Sequence, residues 1–330
     1  MDNSSLPLVL VTHTLPKGWL DLLEGHCRIL QGPVDAQGLS PQLEANLGEA
    51  DGLFCLLTIP VTRTLLEKAP HLRVVSNMAV GVDNIDLQAC TQRAIPVGNT
   101  PGVLTDGTAD LAMAILLAAA RKLPQANRDA REGRWITWSP AGWLGADLTG
   151  STLGIIGMGK IGSAVAKRAS AFGLHLVYTD TSVHTWVEEE LGAIRLTLRD
   201  LLKLSDFVSL HVPLTGETHH LINQETLRAL KPSAILVNTS RGAVVDTEAL
   251  VLALKQDWIA GAALDVTDPE PLPPEHPLFT LPNCLIVPHI GSATWNTRRK
   301  MAELACENLL AGLAGVHLPY CANPEVYEKD

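Results

Sequence analysis

The sequence predicts an α/β protein with two parallel-sheet domains, and three observations lead to this prediction. Short apolar runs rich in β-branched residues alternate with helical segments along most of the chain. The alternation is interrupted once, between about 131 and 150, and then resumes. A length of 330 residues accommodates two domains of ordinary size. Because parallel sheets carry helices on both faces, we expect each domain to be doubly wound.

The first series contains four predicted strands separated by helical segments. The strands are expected at 8–12, 52–57, 73–77 and 95–99, and the helices near 17–24, 61–69 and 86–93. After a Pro-Gly break at 101–102, a long helix is predicted from Thr105 to Lys122. The segment that follows, 131–150, is rich in Gly and Trp and has no periodicity, which is typical of an excursion between elements.

The second series begins at Ser151 and contains six predicted strands. They are expected at 152–157, 174–179, 206–212, 234–239, 260–266 and 284–289. A last helix is predicted over about 294–314. This series carries a phosphate-binding signature, so we expect it to bind a cofactor and the first series to bind substrate.

The signature is the glycine-rich segment GMGKIG, in which Gly157, Gly159 and Gly162 form G-x-G-x-x-G. It follows a predicted strand and opens a predicted helix, which is the context that a dinucleotide-binding Rossmann turn requires. Asp180 ends the next strand, where an acid would accept hydrogen bonds from the ribose 2′-hydroxyl and repel a 2′-phosphate. The pattern therefore predicts NAD as cofactor, with the intervening Met158, Lys160 and Ile161 also in the turn.

Three polar residues follow later strands of the second series. Arg241 comes after the strand at 234–239, Glu270 lies in the loop after the strand at 260–266, and His289 ends the last strand. Each alone has an ordinary explanation, as a surface arginine, a loop carboxylate or a core histidine. Together they supply a cation for a carboxylate or carbonyl, an acid/base and its carboxylate partner. Open α/β sheets bind ligands at this edge, so the set predicts hydride transfer to or from a 2-hydroxy acid.

These segments resemble those of the D-isomer-specific 2-hydroxyacid dehydrogenase family. The motifs GMGKIG, NTSRGAVVD, LDVTDPEP and PHIGSAT occur in the order that the family has them, and AVGVDNID and NTPGVLTDGTAD resemble its upstream motifs. The resemblance covers nearly the whole chain. It implies that His289 is the acid/base, Glu270 its orienting partner and Arg241 the cation that binds the substrate carboxylate or carbonyl. It also implies that the main-chain amides of Val80 and Gly81 receive the carboxylate.

The resemblance further implies a set of cofactor-lining residues beyond the glycine-rich turn. They are Thr108, Val212, Pro213, Thr218, Thr239, Ser240, Asp265, His289 and Gly291. In the family the cofactor domain is inserted into the substrate domain. We therefore expect a substrate domain at 1–102 and 288–330, and a cofactor domain at 103–287.

Within the family, the chain is most similar to glyoxylate/hydroxypyruvate reductases. The segment GRWITWSPAGWLG matches their tryptophan-bearing loop, in which a residue like Trp138 reaches the active site of the other subunit. A homodimer that reduces a small 2-oxo acid is therefore expected. Members that prefer NADP place a small residue and then Arg where this chain has Asp180 and Thr181, so NADH is expected to be preferred and NADP remains possible. His184 and Arg195 are the nearest cationic side chains in the sequence.

Composition excludes several other classes of function. The formal net charge of −10 disfavours a nucleic-acid partner. The six cysteines form no CxxC pair, so no metal site is expected. The apolar run at 111–120 is too short to cross a bilayer, and the N-terminal segment is typical of a strand. We therefore expect no membrane association and a cytoplasmic location.

Two alternatives remain open from the sequence. The C-terminal-binding-protein corepressors share the fold and the Arg/Glu/His set but act as dinucleotide-sensing binding proteins, usually with disordered tails. A family dehydrogenase with another 2-oxo acid substrate is the second alternative. Phosphoglycerate dehydrogenases often carry an additional regulatory domain, and formate dehydrogenases pair their histidine differently, so both fit this chain less well.

Overall fold

A computed structural model describes residues 5–328 of the chain, which divide into two compact units. Unit 1 is built from both ends of the chain, up to Leu104 and again from Thr294, and unit 2 comprises Thr105–Ala293. The resemblance places these boundaries after residues 102 and 287. In the structure, residues 288–293 stay with unit 2 because the main-chain amides of His289, Ile290 and Gly291 all donate to Asp265 of that unit.

Unit 1 contains one parallel five-stranded sheet with helices from both ends of the chain. Its strands and helices are β1 Leu8–Val11, β2 Arg28–Gln31, α1 Pro41–Ala45, β3 Gly52–Cys55, α2 Arg63–Glu67, β4 Val74–Asn77, α3 Leu87–Gln92, β5 Val97–Gly98 and α11 Trp295–Leu313. The strand order is β2-β1-β3-β4-β5. Successive strands extend the sheet in one direction from β1 to β2 and in the other direction from β3 to β5, as in the flavodoxin-like form of the doubly wound fold.

Unit 2 contains a parallel seven-stranded sheet. Its strands and helices are α4 Thr105–Ala120, α5 Leu123–Arg131, β6 Thr152–Ile156, α6 Lys160–Ala171, β7 His175–Thr179, α7 Thr185–Leu191, β8 Ile194–Arg195, α8 Leu198–Leu204, β9 Phe207–Leu210, α9 Gln224–Ala229, β10 Ile235–Asn238, α10 Thr247–Lys255, β11 Gly261–Leu264 and β12 Cys284–Ile286. The strand order is β12-β11-β10-β9-β6-β7-β8. The six strands from β8 to β11 follow the Rossmann order, with the reversal between β6 and β9.

Side chains that alternate along the central strands of unit 2 build two hydrophobic cores, one on each face of the sheet. On β10, Leu236 packs into one core, whereas Ile235 and Val237 pack into the other. Because successive residues of a strand point to opposite faces, a nearly continuous apolar run is what a strand covered on both sides requires. The two parallel sheets, and the insertion of unit 2 into the sequence of unit 1, confirm the predicted fold class of two doubly wound parallel-sheet domains.

Some predicted elements differ from those observed, for local reasons. The helix expected near 17–24 is only a short 3-10 turn at Asp21–Leu23, because Gly18 and Gly25 on either side have φ of +88° and +75°, outside the helical region. The helix expected over 105–122 ends at Ala120, and α5 follows after Lys122 at φ +50°.

Two strands escaped sequence prediction, and both lie at sheet edges. β2 pairs only with β1 and is partly exposed, and β8 is two exposed residues long. An edge strand lacks the long apolar run that marks a central one, so its sequence carries a weak signal. Among residues 5–328, no helix combines the length and apolarity that crossing a membrane would require.

Candidate active site

The predicted polar residues of unit 2 lie beyond the carboxyl ends of its strands. Asp180 follows β7, Arg241 follows β10, Glu270 follows β11 and His289 follows β12. All seven strands are parallel, so these ends share one edge of the sheet. The reversal of strand order between β6 and β9 opens a crevice at the same edge, which is where such sheets bind ligands.

The glycine-rich turn between β6 and α6 has the geometry of a dinucleotide cradle. Gly157 has φ of +91°, and a methyl group there would come within 2.8 Å of the main-chain carbonyl of His211. A methyl group on Gly162 would lie 2.1 Å from the carbonyl oxygen of Gly157, so α6 approaches β6 this closely only with glycine. At Gly159 a methyl group would meet nothing within 4 Å, so the backbone is open to an approaching group. The N-terminal amides of a twelve-residue helix begin here, and the turn therefore fits a diphosphate.

Asp180 is tied to this turn by its own side chain. Its Oδ2 accepts a hydrogen bond of 2.7 Å from the main-chain N–H of Met158, and its Oδ1 accepts one of 2.9 Å from Ser182. Burial acts to raise the pKa of the Asp180 carboxyl, but these two amides and the nearby His184 outweigh it and hold the pKa below its ordinary value. The carboxylate is therefore charged at the position where the adenosine ribose of a dinucleotide is expected.

His289 and Glu270 form a short hydrogen bond at the same edge. Nδ1 of the imidazole lies 2.6 Å from Oε1 of Glu270, and Oε2 of Glu270 accepts from the main-chain N–H of Thr267 at 3.1 Å. The carboxylate is thus fixed by the loop after β11, and it fixes the imidazole in turn. Both side chains are partly exposed, so solutes reach the pair. Because Nδ1 faces the carboxylate, Nε2 lies on the opposite edge of the ring.

The backbone at His289 adopts a strained turn that a buried carboxylate holds in place. His289 has φ of +50°, a left-handed conformation that costs a non-glycine residue on the order of 1–3 kcal/mol. The carboxylate of Asp265, which is 2% exposed, accepts hydrogen bonds of 2.6 and 2.9 Å from the main-chain amides of Ile290 and Gly291. Burial raises the pKa of Asp265, although the two amides and His289 oppose this. Asp265 was expected to line the cofactor, and in this structure it organises the turn that carries His289.

Arg241 lies on a loop that packs directly against the loop of Glu270. Its Nη1 donates to the main-chain oxygen of Ser240 at 2.9 Å. The Asn238 side chain fixes the turn, because its Oδ1 accepts from the main-chain N–H of Ser240 and its Nδ2 donates to the main-chain oxygen of Arg241. A methyl group on Gly242 would lie 1.9 Å from the carbonyl oxygen of Thr267. Only glycine therefore allows the Arg241 and Glu270 loops to come this close.

His211, at the end of β9, is a site residue that the sequence did not single out. Its Nε2 lies 2.8 Å from Ser209 Oγ and its Nδ1 lies 3.5 Å from Thr239 Oγ1. Burial lowers the pKa of His211 to about 4, so the ring is neutral at physiological pH. Thr267, which fixes Glu270, was also missed. The contact of His211 with Thr239 joins residues that are distant in sequence. Thr267 lies only three residues from Glu270, but its role depends on the conformation of the loop, which the sequence pattern does not show.

Several of the remaining predicted cofactor residues also meet at this edge. A methyl group on Gly291 would lie 3.4 Å from Thr108 Oγ1, and one on Gly157 would lie 2.9 Å from Val212. Thr218 donates to the main-chain oxygen of Pro213 at 2.6 Å, which shapes the loop after β9. Lys160 and Ile161 form the first turn of α6.

Trp138 does not join these groups, because it lies on the irregular segment after α5 and is 79% exposed. Trp143 of that segment donates from Nε1 to Asp129 Oδ2 at 2.8 Å, and Arg134 contacts the other oxygen of the same carboxylate. The segment therefore has a defined attachment to α5, while its other two tryptophans, Trp135 and Trp138, are exposed to solvent.

Val80 and Gly81 belong to unit 1, where they follow the carboxyl end of β4. Their main-chain oxygens accept hydrogen bonds, that of Val80 from the Asn99 side chain at 2.9 Å and that of Gly81 from the Asn77 side chain at 3.0 Å. The peptide planes of the two residues are thereby held by side chains from β4 and from the end of β5. Across residues 5–328, no cluster of three or more His, Cys, Asp or Glu side chains forms a metal site.

The chain is similar to a known family of enzymes over more than half of its length. Residues 113–291 match the model of the NAD binding domain of D-isomer specific 2-hydroxyacid dehydrogenases. A glyoxylate reductase of Korarchaeum cryptofilum is 49% identical over 321 residues, which cover 97% of either chain.

The chain is also similar to proteins of known structure. A protein of Thermus thermophilus is 49% identical and superposes with a TM-score of 0.89 over 96% of this chain and 99% of its own. An NADPH-dependent glyoxylate/hydroxypyruvate reductase of Sinorhizobium meliloti, solved with NADP and malonate, is 33% identical with a TM-score of 0.83, over 97% of this chain and 98% of its own.

The close approach at Gly242 generates a testable prediction. Gly242→Ala should raise amide hydrogen exchange in segments 239–245 and 266–271, because the added methyl group displaces the Thr267 carbonyl. Gly216→Ala is the matched control, since a methyl group there would meet nothing within 4 Å. Unchanged exchange in both segments of Gly242→Ala would show that the two loops are not packed as described.

Proposed function

The chain belongs to the D-isomer specific 2-hydroxyacid dehydrogenase family and is an NAD(P)-dependent dehydrogenase, and we propose that it reduces glyoxylate or hydroxypyruvate to the D-2-hydroxy acid with NADH. The observation that carries the proposal is the 2.6 Å hydrogen bond between His289 and Glu270 at the edge where the dinucleotide cradle opens. The names of the relatives support the choice of substrate.

In this proposal His289 is the general acid of the reduction. When bound, the nicotinamide cofactor would supply the hydride that reduces the carbonyl carbon of the substrate. Protonated His289 donates from Nδ1 to Glu270 and from Nε2 to the oxygen on which negative charge develops. Glu270 stabilises the imidazolium by its charge and fixes the plane of the ring.

Arg241 and two main-chain amides are assigned to substrate binding. A guanidinium makes two parallel hydrogen bonds to a planar carboxylate, or polarises a carbonyl, in a way that an ammonium does not match. We assign this role to Arg241 and assign the amides of Val80 and Gly81 to the substrate carboxylate. A carboxylate beside a reacting carbonyl is what 2-oxo acids share, and this set of donors therefore suits them as a class.

The remaining parts of the proposal concern assembly and location. We propose a homodimer in which Trp138 reaches the active site of the partner, because an exposed tryptophan on an anchored segment suits contact with a second chain. The cytoplasmic location expected from the sequence is part of the same proposal.

The role of His289 is tested by His289→Asn. Asparagine tolerates positive φ and should keep the turn, but it has no proton to deliver. We expect kcat for glyoxylate to fall by roughly 10²–10⁴-fold, the usual worth of a positioned general acid, with NADH affinity retained. Steady-state kinetics and fluorescence titration of NADH measure the two quantities, and His175→Asn, at an exposed strand end, is the control. A kcat near that of the wild type would remove His289 from the mechanism.

The choice of cofactor is tested on the wild-type chain. The charged Asp180 carboxylate gains a hydrogen bond from a 2′-hydroxyl and repels a 2′-phosphate that carries nearly two negative charges. NADH should therefore be preferred over NADPH in kcat/KM by about tenfold or more, equivalent to about 1.4 kcal/mol. The measurement is kcat/KM for both cofactors at saturating glyoxylate. Equal or better use of NADPH would contradict this assignment of Asp180.

A further inference from the structure

An arginine from the neighbouring edge strand reaches the loop that carries Asp180. Arg195 lies on β8, and its Nη2 donates to the main-chain oxygens of Asp180 at 2.8 Å and of Thr181 at 3.2 Å. The residues that follow Asp180 in the loop, Thr181, Ser182 and Val183, carry no charge. The guanidinium of Arg195 nevertheless arrives at the same loop from another strand.

Arg195 is not needed to satisfy the Asp180 carboxylate. Both carboxylate oxygens already accept main-chain amides, from Met158 and Ser182, and Thr181 Oγ1 lies 3.3 Å from Oδ1. Within residues 5–328, the hydrogen bonds of Arg195 run through Nη2 alone. Nε and Nη1 of the same exposed guanidinium therefore remain as donors for an anion.

Other charged and titratable groups surround the loop. His184 Nε2 lies 3.5 Å from Asp180 Oδ1, and Tyr178, whose ring is 5.9 Å from that of His184, donates from its hydroxyl to Glu188 at 2.7 Å. The carboxylate of Glu188 is thereby hydrogen-bonded to the hydroxyl of Tyr178. Arg195 is the member of this group with a fixed positive charge at any physiological pH.

On the proposed function, which assigns the adenosine ribose to Asp180, we propose that Arg195 is a second determinant of cofactor choice and forms a latent 2′-phosphate site. A 2′-phosphate entering this site meets repulsion from Asp180 and attraction from Arg195. The Asp180 charge prevails in the wild type because its carboxylate is held in place by two amides. Removing that charge alone should therefore admit a 2′-phosphate, without an arginine at position 181.

Asp180→Asn is the appropriate change, because asparagine keeps one oxygen as an acceptor for the amides of the turn. Asp180→Gly would remove both acceptors and loosen the cradle together with the charge. Arg195→Gln removes the proposed phosphate partner, and Arg199→Gln, an exposed arginine on α8, is the matched control.

Isothermal titration of the full chain with ADP and with 2′,5′-ADP separates binding from turnover. Asp180→Asn should bind 2′,5′-ADP about tenfold more tightly than the wild type does, whereas its affinity for ADP should change much less. Adding Arg195→Gln to Asp180→Asn should abolish most of this gain, and adding Arg199→Gln should preserve it. Asp180→Asn/Arg195→Lys keeps the charge and should retain part of the gain, which leaves a second test if the Gln variant fails to fold.

Two results would overturn the inference. A gain that survives Arg195→Gln would place the phosphate partner elsewhere, and an Asp180→Asn variant with the wild-type ratio of affinities would show that Asp180 does not block the site. Failure of the wild-type chain to bind either nucleotide would instead contradict the proposed function itself.

Discussion

The hydrogen bond between His289 and Glu270 depends on three separate features of this structure, which involve Asp265, Thr267 and Gly242. It requires a left-handed conformation at His289, beyond the end of β12, and that conformation is held by the buried carboxylate of Asp265. It also requires the loop after β11 to be fixed, which the main-chain N–H of Thr267 and the absence of a side chain at Gly242 achieve. A strained backbone persists only where its surroundings over-determine it, and here two loops and one buried acid do so.

At the other end of the crevice, the important feature is the pair of opposite charges on Asp180 and Arg195. Asp180 is kept ionised by amides from its own turn and from the glycine-rich turn, so one carboxylate both shapes the cradle and places a negative charge beside it. Arg195, on β8, provides an opposing charge that contacts the loop of Asp180. Cofactor selection by such a pair is a difference between attraction and repulsion, which small changes in sequence can reverse.

Much of the fold could be predicted from sequence because its signals are local. Buried parallel strands are continuous apolar runs, and ten of the twelve observed strands overlap predicted ones; only the edge strands β2 and β8 were missed. The glycine-rich turn has its own motif. The partners that organise the site could not be predicted in this way. The neutral His211 beside Thr239 and the amides on Asp265 depend on tertiary contacts that leave no periodicity. The bond of Thr267 to Glu270 is local, but it depends on a loop conformation that periodicity does not show either.

The rate of glyoxylate reduction by Glu270→Gln, compared with that of the wild type, tests the central claim most directly. Glutamine keeps an oxygen that can accept the hydrogen bond from Nδ1 of His289, but it lacks the charge that stabilises the imidazolium. We therefore expect kcat to fall by roughly tenfold or more, equivalent to about 1.4 kcal/mol, with NADH affinity retained. A kcat near that of the wild type would contradict the proposed partnership between His289 and Glu270.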